Sequence, residues 1–75
     1  MAGFFFHVNN GADVPDETGT VLNGIEEARQ EVLLTGSELL RRDPDDLWRG
    51  SNWAMRVTDE AGTPLFTLRI AMEEH

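Results

Sequence analysis

The complete lack of cysteine is the strongest constraint on how this 75-residue chain can fold. A chain of this length buries only about 60% of the surface that its unfolded form exposes, which is close to the lower limit for an independent domain. Disulfides and thiolate-bound metals cannot reinforce the fold, and two histidines are too few for a typical zinc site. The remaining sources of stability are one apolar core and self-association. We therefore expect residues 1–75 to form a single domain without a cofactor.

The charge of the chain argues against two classes of partner. Fourteen acidic residues stand against six basic ones, all of them arginine, and the net charge is −8. Such a chain repels phosphate backbones and anionic membrane surfaces. No apolar run approaches the roughly 20 residues that span a bilayer, and the first residues lack the basic and apolar regions of a signal peptide. We expect a cytoplasmic protein that binds neither nucleic acid nor membranes.

Short runs of β-forming residues predict four strands. They cover residues 4–8, 20–22, 52–58 and 65–72. Alternation places Phe4, Phe6 and Val8 on one face of the first strand, and Phe5 and His7 on the other. The later strands alternate in the same way, with one apolar face made of Trp53, Met55, Val57, Phe66, Leu68, Ile70 and Met72. Turns are expected at residues 9–11 and 59–62, with a polar connection over residues 12–19.

A single long helix is predicted over residues 24–42, between the second and third strands. Asn23 is placed to cap its first turn, with Glu26 in capping-box position, and the Asp43-Pro44 pair ends it. At 100° per residue an apolar stripe forms on one side, made of Ile25, Ala28, Val32, Gly36, Leu39 and Leu40. Gly36 should mark a close approach to the sheet, because a mid-helix glycine costs about 1 kcal/mol relative to alanine.

The element order predicts an α+β fold of the form β-β-α-β-β, with the helix covering one face of a mostly antiparallel sheet. Residues 45–51 are left as a loop that carries Trp48. One pattern occurs on both sides of the helix: residues 16–22 and residues 59–65 both read D-E-x-G-T-x-L. The use of the same turn-forming residues in two separate turns explains this repeat, and an internal duplication is the alternative.

Several short motifs, taken in order and spacing along nearly the whole chain, resemble a family of short bacterial proteins classed only as a domain of unknown function. They are Phe5-Phe6-His7, Asn10-Gly11, Asp16-x-x-Gly19, a helix ending Glu38-Leu39-Leu40, and Trp53-x-Met55-x-Val57-x-Asp59-x-x-Gly62. The resemblance implies no activity, because none is established for the family.

Candidate catalytic groups are few. His7 near Asp13, Asp16 and Glu17 could hold a divalent ion or transfer protons, but an exposed strand histidine beside a turn-forming loop is the favoured interpretation. The spacing of these carboxylates does not match a calcium-binding EF-hand loop. The chain has no cysteine nucleophile, and Ser37 and Ser51 lack the context of an activated serine. We therefore expect no enzyme activity.

The face of the sheet away from the helix is the best candidate binding surface. It should carry Phe5, His7, Arg56, Thr67 and Arg69, with the two arginines close together on paired strands. The alternative is an ordinary solvated sheet face whose arginine stems cover apolar area. Trp48 is a further candidate interaction residue, although we expect it to fold back and cap the core.

These observations predict a non-catalytic module that binds a protein partner or copies of itself, most simply as a symmetric dimer. Phe5 on the open sheet face and Leu34 on the outer side of the helix would favour such pairing. The alternative is a small-ligand or anion-binding sensor that uses the open face around His7, Arg56 and Arg69.

Overall fold

A computed structural model of the chain describes residues 2–49 and 52–75. Its elements in chain order are β1 (Ala2–Asn9), β2 (Asp13–Val14), β3 (Thr20–Leu22), α1 (Ile25–Arg42), α2 (Pro44–Trp48), β4 (Trp53–Thr58) and β5 (Pro64–Ile70). The predicted α+β class is confirmed, with one main helix and an antiparallel sheet. Within the described residues neither helix is long and apolar enough to cross a membrane.

The sheet is built around β1, which pairs with three other strands. The strand order is β2-β1-β4-β5, and β3 also pairs with β1. All these pairs are antiparallel. β3 pairs with residues 2–4 of β1 and β2 pairs with residues 8–9, so a short stretch of β1 lies between the two. That stretch, residues 5–7, positions the site described below.

Strand alternation separates a covered face from an open face, as predicted. Cross-strand register aligns Phe6 with Val57 and Phe66 on the covered face, where α1 packs. The buried core residues are Phe4, Ala28, Val32, Leu47, Trp53, Met55 and Val57. The odd-numbered residues of β1 face the other way and define the open face.

Helix α1 packs on the covered face largely through the predicted stripe. Ala28, Val32 and Gly36 are buried. A Cβ atom on Gly36 would lie 2.9 Å from Leu68 Cδ2, so the predicted close approach at this glycine is confirmed. Ile25 is the exception, because it begins the helix at the rim of the interface and remains 39% exposed.

The predicted cap of α1 is wrong, although its bounds agree to within one residue. Gly24, with extended backbone at φ 176°, is the N-cap, and no side chain caps the first turn. The Asn23 side chain instead donates from Nδ2 to Glu27 Oε2 at 2.7 Å. Asn23 lies one residue too early to cap the helix with its side-chain oxygen, and its Nδ2 group binds the Glu27 carboxylate.

The region predicted as a loop over residues 45–51 contains a one-turn helix, and its last two positions, residues 50 and 51, lie outside the described residues. Pro44 starts α2 because its fixed φ suits the first helical position. Leu47 is buried in the core, whereas Trp48 is 59% exposed. The expectation that Trp48 caps the core is wrong, since adjacent residues of a helix point about 100° apart and Leu47 takes the inward direction.

The connection over residues 12–19 is less irregular than predicted. Asp13 and Val14 form β2, which pairs with the end of β1 across a turn where Gly11 has φ +104°. This extra strand changes the element order to β-β-β-α-α-β-β. At the other end of the chain, β5 stops at Ile70 rather than at Met72.

Candidate functional site

The open face has two ends with different chemistry. One, which we call the stitched end, consists of Phe5, His7 and Thr58 together with the loop over residues 16–19. The other, the arginine end, consists of Asn9, Ala54, Arg56, Thr67 and Arg69. Register places His7 opposite Arg56, so the two ends meet in the middle of the face.

His7 is held from both sides by hydrogen bonds within the protein. The backbone N–H of Asp16 donates to His7 Nδ1 at 3.1 Å, and His7 Nε2 lies 3.1 Å from Thr58 Oγ1. A backbone amide can only donate, so Nδ1 carries a lone pair and the neutral ring holds its proton on Nε2. Nε2 therefore donates to the hydroxyl oxygen of Thr58, which is a buried residue. Both ring nitrogens are engaged in structure, which leaves neither free for a metal ion or a substrate.

Asp16 takes the place of a strand partner for the middle of β1. Its Oδ2 accepts the N–H of Phe6 at 3.2 Å, and its Oδ1 accepts the N–H groups of Thr18 and Gly19 at 3.1 and 3.0 Å. Burial alone raises the pKa of Asp16, but these three hydrogen bonds, with a smaller contribution from His7, hold the pKa below its usual value. The carboxylate thus satisfies a backbone donor in the stretch between β3 and β2.

Phe5 is less available than predicted, because the loop over residues 16–19 contacts its ring. The Phe5 and His7 rings stack with centroids 6.3 Å apart and an interplanar angle of 11°. Gly19 has φ +77°, and a Cβ atom there would lie 2.8 Å from Phe5 Cε2. Phe5 is therefore half-buried rather than an exposed apolar group of the open face.

The structure joins His7 and Asp16 by a hydrogen bond, and no hydrogen bond of the described residues links Asp13 or Glu17 to His7. Asp13 Oδ1 accepts a hydrogen bond from Asn9 Nδ2 at 2.7 Å. Within residues 2–49 and 52–75, no group of three or more His, Asp or Glu side chains is arranged to hold a metal ion. Ser37 Oγ donates to the Leu33 carbonyl at 2.7 Å within α1, and Ser51 lies outside the described residues.

The arginine end brings Arg56 and Arg69 together on adjacent strands, as predicted. Arg56 is opposite Thr67, two residues before Arg69, so the arginines are diagonal neighbours with backbones about 7–8 Å apart. Both are exposed. The ion pairs of the described residues involve Arg29 and Arg49, and neither open-face arginine takes part in one.

A concavity of about 430 Å³ lies at the arginine end. Ala54 lies opposite both Asn9 and Arg69, and its short side chain lies among longer ones, which explains why the surface is hollow there. Asn52, Asp13 and Thr67 also line it. The lining therefore combines guanidinium and amide donors with one carboxylate.

Two of the five motifs that carry the family resemblance meet at the stitched end, where the Phe5-Phe6-His7 segment contacts Asp16 and Gly19. A family model described as "Domain of unknown function (DUF6894)" matches residues 3–71. The chain belongs to this family. No curated protein and no solved structure matches the chain. In this DUF6894 domain Asp16 and His7 hold the loop over residues 16–19 on β1.

Trp48 does not belong to the same surface of this DUF6894 domain. It is exposed on α2 and is not among the residues that line the arginine end. A smaller crevice of about 320 Å³ lies between the end of α1, α2 and the sheet, lined mainly by apolar side chains that include Leu39, Leu40 and Leu47. The predicted site residues therefore divide into Phe5 and His7 at the stitched end, Arg56 and Arg69 at the arginine end, and Trp48 apart from both.

Sequence reasoning missed four residues of the site. Thr58 has no distinguishing signal, because its role depends on the register that sets it opposite Phe5 and therefore diagonal to His7 on the neighbouring strand. Asn9 and Asn52 were taken as turn and strand-end residues. Ala54 had a usable signal, since a small residue on an exposed strand face that also carries long side chains marks a hollow.

Proposed function

We propose that this protein is a non-catalytic module that binds an acidic segment of a protein partner through the arginine end of its open face. The observation that carries the proposal is that Arg56 and Arg69 are exposed neighbours without an acidic partner among the described residues. In a chain with fourteen acidic residues and six arginines, these two lie side by side and exposed, outside the ion pairs of the described residues. Guanidinium groups bind carboxylates with two parallel hydrogen bonds, which suits them to recognising acidic side chains.

The hydrogen bonds of the best acid–base candidates support a non-catalytic role. His7 uses both ring nitrogens, and Asp16 accepts three backbone N–H groups. Ser37, the described nucleophile candidate, is bound to a helix carbonyl. Each group would therefore have to break a hydrogen bond within the protein before it could transfer a proton or attack a substrate.

The test compares two double variants that remove the same charge. In R56A/R69A the open-face arginines are lost, and in R41A/R42A two exposed arginines at the end of α1 are lost. Both proteins and the wild type are used to capture partners from native lysate, and the binding of any captured protein is then measured by calorimetry. We expect R56A/R69A to weaken binding about tenfold or more, because each buried guanidinium–carboxylate contact is worth at least about 1.4 kcal/mol.

The control should bind like the wild type, and rising salt should weaken wild-type binding. Equal loss of binding in both double variants would mean that overall charge, rather than this surface, determines the interaction. Unchanged binding by R56A/R69A would rule the open face out.

Self-association is a second candidate, favoured by the outer surface of α1. Leu33 and Leu34 are 59% and 65% exposed there, while Phe5 is too covered to drive pairing through the open face. A symmetric dimer through this helix would bury both leucines of each protomer. Sedimentation should then show a dimer for the wild type and a monomer for L33Q/L34Q; a wild-type monomer at tens of micromolar would contradict this candidate. A cytoplasmic location and a bacterial origin stay predictions from the sequence.

A further inference from the structure

The concavity at the arginine end has a floor and two walls that define what it can hold. Ala54 forms the floor, and Arg56 and Arg69 rise beside it, one along β4 and one across on β5. Asn9 lies on the opposite side of Ala54, on β1. A planar group that enters the hollow would therefore meet guanidinium N–H donors from two directions.

The net charge of the residues around the hollow determines which ligand group it can bind. Two guanidinium groups contribute two positive charges and Asp13 contributes one negative charge, which leaves one positive charge around the hollow. The Asp13 carboxylate is kept in place by Asn9 Nδ2 at 2.7 Å. A group with a single negative charge balances this excess, whereas a doubly charged phosphate would be repelled by Asp13 and by the acidic chain as a whole.

We infer that one carboxylate group of the ligand docks over Ala54 between Arg56 and Arg69. This rests on the proposed function and assigns the chemistry that the same surface recognises. The carboxylate belongs either to an Asp or Glu side chain or to the C-terminus of a partner, and both sources present the same planar anion. Ala54 acts as the residue that keeps the hollow open.

The first experiment titrates the protein with acetate, a minimal single carboxylate, and follows it by ¹H–¹⁵N NMR, with sodium chloride at equal ionic strength as the salt control. We expect saturable shifts centred on the amides of Ala54, Arg56 and Arg69, with a dissociation constant on the order of 1 mM for so small a ligand. R41A/R42A should titrate like the wild type, and R56A/R69A should bind at least about tenfold more weakly.

Two further variants test the geometry and the charge. A54L fills the hollow and should abolish the shifts, while R56K/R69K keeps the charge but loses the paired donors and should weaken binding. D13N should bind acetate more tightly, because it removes the one repulsive charge of the lining. The spectrum of each variant first shows whether it is folded, and R56K/R69K tests the site even if A54L does not fold.

Three peptides identify the source of the carboxylate: a peptide whose one charge is a single Glu side chain, with an amidated C-terminus; an uncharged sequence with a free C-terminus; and the same uncharged sequence amidated. Binding of the first supports a side-chain carboxylate, binding of the second supports a C-terminal one, and the third should not bind. Tighter binding of inorganic phosphate than of acetate overturns the inference, as do shifts that chloride reproduces or that persist in R56A/R69A. If acetate and the peptides do not bind but partner capture still depends on Arg56 and Arg69, only the carboxylate assignment is wrong.

Discussion

The two D-E-x-G-T-x-L segments form the same kind of local turn but attach to β1 in different ways. In each, an aspartate Oδ1 accepts two backbone N–H groups shortly after it: Asp16 from Thr18 and Gly19, and Asp59 from Ala61 and Thr63. Each turn also has its glycine at positive φ, +77° at Gly19 and +82° at Gly62.

The difference lies in which acidic residue reaches β1. In the first segment Asp16 itself accepts the N–H of Phe6, while in the second the following residue, Glu60, accepts the N–H of Gly3 at 2.8 Å. Shared turn chemistry is enough to explain the repeated pattern. The comparison shows that two turns with the same local hydrogen bonds can contact a neighbouring strand through different acidic residues.

The two turns should differ most in the stability that is lost when their aspartates are replaced by alanine. Asp16→Ala removes acceptors for three N–H groups, one of them on β1, and should lower the free energy of unfolding by about 3 kcal/mol. Asp59→Ala removes two local bonds and should cost about 1 kcal/mol, as for the loss of a helix cap. Urea unfolding followed by tryptophan fluorescence measures both, and equal losses would show that the contact with Phe6 contributes nothing.

The two glycines should also differ, although they have similar φ angles. Gly19→Ala adds left-handed strain and places a Cβ atom against the Phe5 ring, so we expect a loss of about 2 kcal/mol. Gly62→Ala meets nothing within 4 Å and should cost only about 1 kcal/mol, from strain alone. Thermal unfolding of the matched pair is the measurement. If the two changes cost the same, the Phe5 ring is free to move aside.

Acid should weaken the first turn through Asp16. Because the pKa of Asp16 in the folded protein is below its usual value of 3.8, its carboxylate stabilises the fold above that pH, and the contribution is lost as pH falls through the lower folded value. The stability advantage of the wild type over D16N should therefore shrink below pH 3.8. The effect is smaller than that of truncation, since a protonated carboxyl keeps an accepting oxygen. An advantage that is constant from pH 7 to acid would contradict the role of the charge.

The smallest effect should come from the glutamates that follow each aspartate. Glu60→Ala removes an exposed bond to the Gly3 N–H and should cost about 0.5 kcal/mol. Glu17 has no such bond, so Glu17→Ala should be close to neutral within about 0.5 kcal/mol. Chemical unfolding of both variants tests whether the second turn gains stability from its contact with β1.

Local chemistry made much of the fold predictable. The alternation in β1 and β4 identified the buried face, and the stripe with Gly36 identified the buried side of α1, because both depend on fixed side-chain directions within one element. The capping of α1 was not predictable in the same way. Asn23, Gly24 and Glu27 compete within a few residues, and small energy differences decide which group is bonded.

The candidate site was predicted in part. The open-face positions of His7, Arg56 and Arg69 followed from alternation, but the covering of Phe5 and the hollow at Ala54 did not. Both depend on neighbours that are distant in sequence. The exposed position of Trp48 was also missed, because a five-residue helix was too short to be recognised from its pattern.

The sequence by itself determined the turns, the two faces of the strands and the length of α1, since each follows from dihedral preferences and periodicity over a few neighbouring residues. Only the tertiary structure decided that Asp16 reaches Phe6, that His7 is fixed between Asp16 and Thr58, and that Arg56 and Arg69 flank Ala54. Those contacts require a strand register and a loop path, which are set by how the whole core packs rather than by any local segment.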